Sequence, residues 1–313
     1  MNTWTLLAVP ISVLAAARAV SHLRPLVFAR IAAWTLVLIS AGAVHGLLLH
    51  APAPVRMLLL VWVVFYAMKA VVTVEARPLD LTPGQWLCFA GVWPGMRPHL
   101  FEALGNSPRV GIKKIAREGF SFLLLGMTSL AAAIALRPSA SVAASLLLLT
   151  GLSFNVHFGL FSLLAAFWRQ LGVDCRPLFR ASWKSCGLRE FWGKRWNLAY
   201  SEMIAQTVYR PILQRWGQPA AHYASFLASG LLHEVAITLP LQRGYGGPTL
   251  YFLLHGFLTS REEASLLPKS EAARRLRVAL WLLLPLPLLF PPAFIDQVLW
   301  PLLAPDFLLL TSS

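Results

Sequence analysis

Apolar runs of bilayer-crossing length recur along this chain, and no other feature restricts its fold as strongly. About 20 consecutive apolar residues make a helix that reaches across the hydrocarbon core. Runs near that length lie at 3–17, 26–49, 55–74, 120–136, 141–167, 220–239, 245–260 and 278–293. The first and seventh are short for a crossing. Backbone surrounded by lipid has no water to bond, so each crossing segment must satisfy its own N–H and C=O groups, as a helix does. The expected fold is all-α: a polytopic transmembrane helical bundle of about eight spans. A ninth is counted if the proline-interrupted stretch 295–310 also crosses.

Composition agrees. Of 313 residues, 57% are hydrophobic and 13% charged, with a mean hydropathy of +0.63. A soluble domain covers itself with about 25% charge. These values exclude an ordinary soluble enzyme and a disordered chain. Cys88, Cys175 and Cys186 have no paired spacing and read as isolated thiols. The first residues lack a basic leader and a cleavage site, so the stretch from Trp4 reads as a retained span.

The net charge is +14, from 27 Lys and Arg against 13 Asp and Glu. In a soluble protein that excess would suggest nucleic acid, but no zinc-finger or recognition-helix pattern accompanies it. Instead the basic residues lie between the apolar runs. With Arg30 and Arg56, just inside their runs, counted with the adjacent connections, these hold three, one, six, one, nine, one and five, and Lys69 lies deeper in the third run. This alternation puts the rich connections on the cytoplasmic side and the N-terminus outside. With eight spans the C-terminus is outside too. The chain reads as an integral, multi-pass membrane protein facing anionic lipids. Its Ala-, Leu- and Arg-rich usage points to a bacterial cytoplasmic membrane. No repeat or linker divides it, so 1–313 is expected to be a single membrane-embedded domain.

Ionisable groups inside spans mark candidate sites. Lys69 lies near the end of its run and is expected to snorkel to the interface. His157 and His255 suit interhelical hydrogen bonds. The run 220–239 is richer. His222, Ser225, Ser229 and His233 follow at steps of three, four and four and form one stripe on a helix. An otherwise apolar helix must turn such a stripe toward the protein interior. Glu234 lies about 100° round from His233 and points toward another neighbour. His233 falls roughly 10 Å from the end of the run, where an uncharged imidazole suits a general base. The stripe alone fits a structural histidine equally well.

Two of the basic-rich connections, 75–119 and 169–218, exceed what a helix-to-helix turn needs, and long loops tend to carry function. The first contains 87–105, an apolar stretch too short to span and broken by Pro94 and Pro98, which fits a re-entrant or interfacial segment. The second contains Arg189-Glu190-Phe191-Trp192-Gly193-Lys194-Arg195-Trp196-Asn197. Three aromatic residues interleaved with Lys194 and Arg195 make a surface that seeks both headgroups and phosphate.

REFWGKRWN, the later SGLLHE around His233 and the earlier WPGM-RP segment (93–98) occur in an order that resembles the membrane-bound O-acyltransferase superfamily, and within it the wax-synthase-like branch. The resemblance covers about 85–109 and 155–263. It implies that His233 is a general base and Asn197 its polar partner. Trp196, Trp192, Arg195, Lys194 and Arg189 would bind substrate at the mouth, and Ser229 and Glu234 would bind it near the base. It also implies transfer of a fatty acyl group from acyl-CoA, as co-substrate, to a lipophilic alcohol. No acyl-enzyme, metal or other cofactor is called for. Acetyl or short-acyl transfer to a hydroxylated metabolite is the alternative within the enzyme class. A proton-coupled transporter or a non-catalytic scaffold is the alternative outside it.

Overall fold

The computed structural model describes residues 3–107, 109–262 and 268–304. Every regular element among them is helical. Five helices are long and apolar enough to cross a membrane: Leu26–Leu47, Ala53–Glu75, Ile112–Leu136, Ser141–Gln170 and Leu198–Leu241. Glu271–Leu289 and Pro292–Leu303 pass the same test together but meet at 69°. Pro291 is extended ahead of Pro292, as a residue before proline prefers. The expected first and seventh spans are the short helices Thr3–Val20 and Gly247–Ser260. At 14 residues the latter reaches only about 21 Å. The end of the expected stretch 295–310 lies outside the described residues.

The chain divides into two compact units, each assembled from separate stretches. One comprises Met1–Leu79, Trp183–Glu190 and Ser201–Ser313; the other comprises Asp80–Ser182 and Phe191–Tyr200.

In the first unit Ala53–Glu75 is the central helix, packed by Thr3–Val20, Leu26–Leu47 and the π-helical turns Ala205–Tyr209, Glu234–Thr238 and Ile295–Leu299. This enclosure overturns the snorkelling expectation for Lys69. Its side chain is completely buried, with Nζ 4.8 Å from the centre of the Phe65 ring. The helix bearing the histidine stripe is interrupted at Gly217 (φ 78°) just before Pro219, close to the residue where the apolar run begins.

The second unit holds the hairpin of Ile112–Leu136 with Ser141–Gln170, the latter containing a π-helical turn at Phe154–Leu160. It also holds the broken segment ahead of that hairpin. Thr82 and Gln85 form a reciprocal capping box that starts a helix at Pro83, which runs into a π-helical turn at Cys88–Val92. These ten residues reach about 15 Å, half a bilayer. Trp86, Phe89, Trp93 and Phe101 are buried, while Leu87 and Val92 are exposed. Phe101 packs edge-on against Trp168 at 5.0 Å, fixing the segment to the hairpin. The indole of Trp93 folds back over Gly95, where an added Cβ would lie 2.1 Å from Nε1. Only glycine fits there.

Candidate active site

The stripe on Arg210–His233 is bonded along its own helix. Ser225 Oγ donates to the Ala221 carbonyl at 2.7 Å and Ser229 Oγ to the Ser225 carbonyl at 2.8 Å. His233 Nδ1 lies 2.7 Å from the Ser229 carbonyl. A carbonyl oxygen can only accept, so Nδ1 carries the proton and the lone pair belongs to Nε2. At the other end of the stripe His222 Nε2 donates to the Gly256 carbonyl at 2.8 Å. The same pattern has thus given one histidine whose ring nitrogen bonds a second helix and one whose Nδ1 bonds its own.

The neighbour that His222 reaches is the helix Gly247–Ser260. It comes close because Gly230 has no side chain: a Cβ there would stand 2.6 Å from Thr249 Cα. This proximity seats the His233 ring over Phe252, with centroids 4.4 Å apart. Glu234 faces the start of the same neighbour. Its Oε1 accepts from the Gly246 N–H (3.0 Å), the Thr249 N–H (3.0 Å) and Thr249 Oγ1 (2.8 Å), while Oε2 accepts from Thr238 Oγ1. A carboxylate there satisfies orphan donors and complements the positive end of the helix dipole. An open groove of about 410 Å³ lies alongside, lined by Leu231, Leu250, Leu253 and Tyr245.

Arg189 serves the opposite end. Its Nε donates to the Thr259 carbonyl at 2.8 Å and Nη2 lies 3.4 Å from that of Ser260. Glu262 in turn accepts from the N–H groups of Leu188 and Arg189, at 2.8 and 2.9 Å, and from Arg277 at 2.9 Å. Glu234 and Arg189, which the motif pattern assigns to substrate contact, therefore hold the two ends of one helix. Thr249, Phe252 and Glu262 escaped the sequence reading because their partners lie far along the chain.

In the second unit Phe191–Arg195 forms a π-helical turn, closed by the Trp196 N–H donating to the Phe191 carbonyl at 2.9 Å. The Phe191 and Trp196 rings stack at 5.4 Å with 14° between planes, and Phe179 meets Trp196 edge-on at 4.9 Å. His157 lies flat on Phe179 at 4.6 Å and 5.8 Å from Trp196. Trp192 meets Phe191 at 4.9 Å. The loop 178–181 runs beside the motif: the Arg180 N–H donates to the Arg195 carbonyl and the Leu198 N–H to the Leu178 carbonyl, both at 2.8 Å. Arg195 Nη1 lies 3.4 Å from the carbonyls of Arg180 and Ala181, so this cation braces the loop, whereas Lys194 is exposed.

Asn197 ends the turn in the left-handed region at φ 41°, which Asn tolerates better than most residues. Its Oδ1 accepts from the Tyr200 N–H at 3.2 Å, capping Leu198–Ile204. With Oδ1 so used, the donor end of the amide is Nδ2.

Residues 175–254 match the family described as "Membrane bound O-acyl transferase family", a stretch that includes Arg189, Asn197, His233 and Glu234. Among similar proteins, the probable long-chain-alcohol O-fatty-acyltransferase 6 of Arabidopsis thaliana is 37% identical over 101 residues, 30% of this chain and 29% of its own. The long-chain-alcohol O-fatty-acyltransferase of Simmondsia chinensis is 36% identical over 101 residues, 29% of each. The acyl-CoA–sterol O-acyltransferase 1 of Arabidopsis thaliana is 30% identical over 128 residues, 37% of each. The match thus spans less than two fifths of these relatives' length. The resemblance read from the motifs is borne out for REFWGKRWN and SGLLHE, which lie in the stretch matched to the membrane-bound O-acyltransferase family and shared with relatives named long-chain-alcohol O-fatty-acyltransferases, while 93–98 lies outside the 175–254 match.

Proposed function

We propose that this membrane protein is an O-acyltransferase that moves a fatty acyl group from acyl-CoA to a long-chain or other lipophilic alcohol. The observation that carries the reading is the bond from His233 Nδ1 to the Ser229 carbonyl, inside the family-matched stretch. That bond puts the proton on Nδ1 and so supports Nε2 as the basic nitrogen.

In the proposed reaction Nε2 takes the hydroxyl proton as the alcohol oxygen attacks the thioester carbon. Such general-base assistance contributes typically about 10²–10⁴-fold. The tetrahedral oxyanion gains an N–H donor, the role assigned to Asn197. Collapse breaks the C–S bond, and the imidazolium returns the proton to the departing CoA thiolate. The products are an ester and free CoA, with no acyl-enzyme. The substrates divide between phases: the CoA phosphates stay in water near cationic residues such as Lys194, while the acyl chain and alcohol favour the hydrocarbon. The long-chain and sterol acyltransferase names of the relatives support a lipophilic acceptor. A bacterial cytoplasmic membrane as the location rests on residue usage alone, and these relatives are plant proteins.

The test is incubation of the purified protein with a panel of acyl-CoAs and alcohols, with products identified by mass spectrometry. Ester and free CoA in equal amounts are expected. Absence of ester across the panel, from protein that melts cooperatively, would overturn the proposal.

A further inference from the structure

Glu234 follows the histidine of the motif directly, and two roles are open to a carboxylate so placed. It could tune or relay the proton of the base, or it could hold the scaffold. The geometry favours the second. Its hydrogen bonds among the described residues go to backbone and hydroxyl donors at the start of Gly247–Ser260 and to Thr238 within its own π-helical turn. The His233 ring takes its bond from the opposite direction, back along its helix to Ser229. The two side chains nonetheless share one neighbour: Glu234 grips the first turn of the helix whose Phe252 supports the ring.

We infer that Glu234 is a positioning residue, which holds the start of Gly247–Ser260 against the π-helical turn Glu234–Thr238 and so keeps the His233 ring seated on Phe252 with its proton on Nδ1. The inference rests on the reading of His233 as the base only for its effect on turnover. A helix of 14 residues cannot rely on its length to hold its place, and the close approach at Gly230 leaves its register sensitive to a loosened end. The clamp by Arg189 on Thr259 and Ser260 holds the far end in the same way. Sub-ångström placement of a base matters, since a displacement of about 1 Å can lower turnover about 10²-fold.

The experiment compares Glu234→Gln, Glu234→Ala and Thr249→Val in the full-length protein, with two readouts. One is kcat and KM for ester formation. The other is the tautomer of ¹⁵N-labelled His233, read by long-range proton–nitrogen NMR in detergent, which needs no substrate. The glutamine carbonyl can still accept from Gly246 and Thr249, so Glu234→Gln should keep the Nδ1-protonated tautomer and turnover within about threefold of the parent. Glu234→Ala should lose the single tautomer and fall on the order of 10²-fold in kcat with KM little changed. Thr249→Val, which removes one of the three donors to Oε1, should fall between them and stands in if the alanine variant does not fold. An inactive glutamine variant with its tautomer intact would show that the carboxylate acts chemically and overturn the inference. So would an alanine or valine variant that matches the parent in both readouts. If the parent itself makes no ester, the functional reading fails, and the tautomer still decides the inference.

Discussion

His233 stands at the end of a regular helix whose polar side chains answer carbonyls four residues back. Asn197 stands where the chain leaves a π-helical turn, enters the left-handed region for one residue and restarts as a short helix. The first segment holds its key side chain by repetition, the second by exceptions: a stacked Phe191–Trp196 pair, a paired loop at 178–181 and a strained φ. A periodic scaffold spreads its constraints, so losing one contact leaves the helix in place. An irregular one concentrates them in a few residues, and each counts for more. The difference predicts where chemistry and stability separate on mutation, and where they do not.

The largest expected effect lies on the regular side. His233→Ala should lower ester formation by about 10²-fold or more, while the melting temperature stays near the parent value because the helix continues without it. An active variant would remove the base assignment and leave the stripe a packing feature.

On the irregular side Asn197→Ala should lose activity and stability together. It removes the cap of Leu198–Ile204, worth about 1 kcal/mol, and leaves at φ 41° a residue without the short polar side chain through which Asn tolerates the left-handed region. Asn197→Gly separates the two roles. Glycine accepts that φ freely and costs only a few tenths of a kcal/mol as a cap, yet it carries no amide donor. The glycine variant should therefore melt closer to the parent than the alanine variant does, and still turn over at least about tenfold more slowly. Full turnover by the glycine variant would mean that Asn197 is there for its backbone.

The same contrast explains what could be read from the sequence. The stripe His222, Ser225, Ser229, His233 was legible because the side chains follow the helical period, whereas the break at Gly217 was not foreseen. The Asn197 segment has no period and was legible only through its resemblance to a family. Neither approach could find the partners of Glu234, twelve and fifteen residues on at Gly246 and Thr249, or the enclosure of Lys69 by elements from distant parts of the chain. Such contacts depend on how helices pack, and composition reports only that they are apolar. The π-helical turns escaped for a related reason. One extra residue per turn leaves hydropathy unchanged, although two of these turns, Phe191–Arg195 and Glu234–Thr238, adjoin the motifs, as such turns often do at functional sites.

Glycines within the two motifs sharpen the comparison further. Gly230→Ala sets a methyl 2.6 Å from Thr249 Cα, so the helices must separate, at about 1–3 kcal/mol for overpacking. Thermal unfolding should report that loss, with lower turnover as the Phe252 support shifts. At Gly193 nothing lies within 4 Å of an added Cβ. Gly193→Ala should leave melting unchanged or slightly higher, since alanine lowers the entropy of the unfolded chain. A destabilising result there would mean that this turn is packed more tightly than its open surroundings indicate.

The smallest effect separates two adjacent cations. Arg195 is committed to the carbonyls of Arg180 and Ala181, so Arg195→Ala should lower the melting temperature before it alters substrate affinity. Lys194 is exposed, and its contribution is that of a solvated charge near a phosphorylated substrate. Exposed pairs are worth about 0.2–1 kcal/mol, so Lys194→Ala should raise KM for acyl-CoA only about twofold to fivefold. Kcat and melting should not change. The rise should also shrink in high salt, because screening shortens the reach of an exposed charge to about 3 Å at 1 M. A KM defect that survives high salt would place Lys194 in a desolvated contact with the substrate, and the irregular motif would then bind acyl-CoA with the same residues that shape its turn.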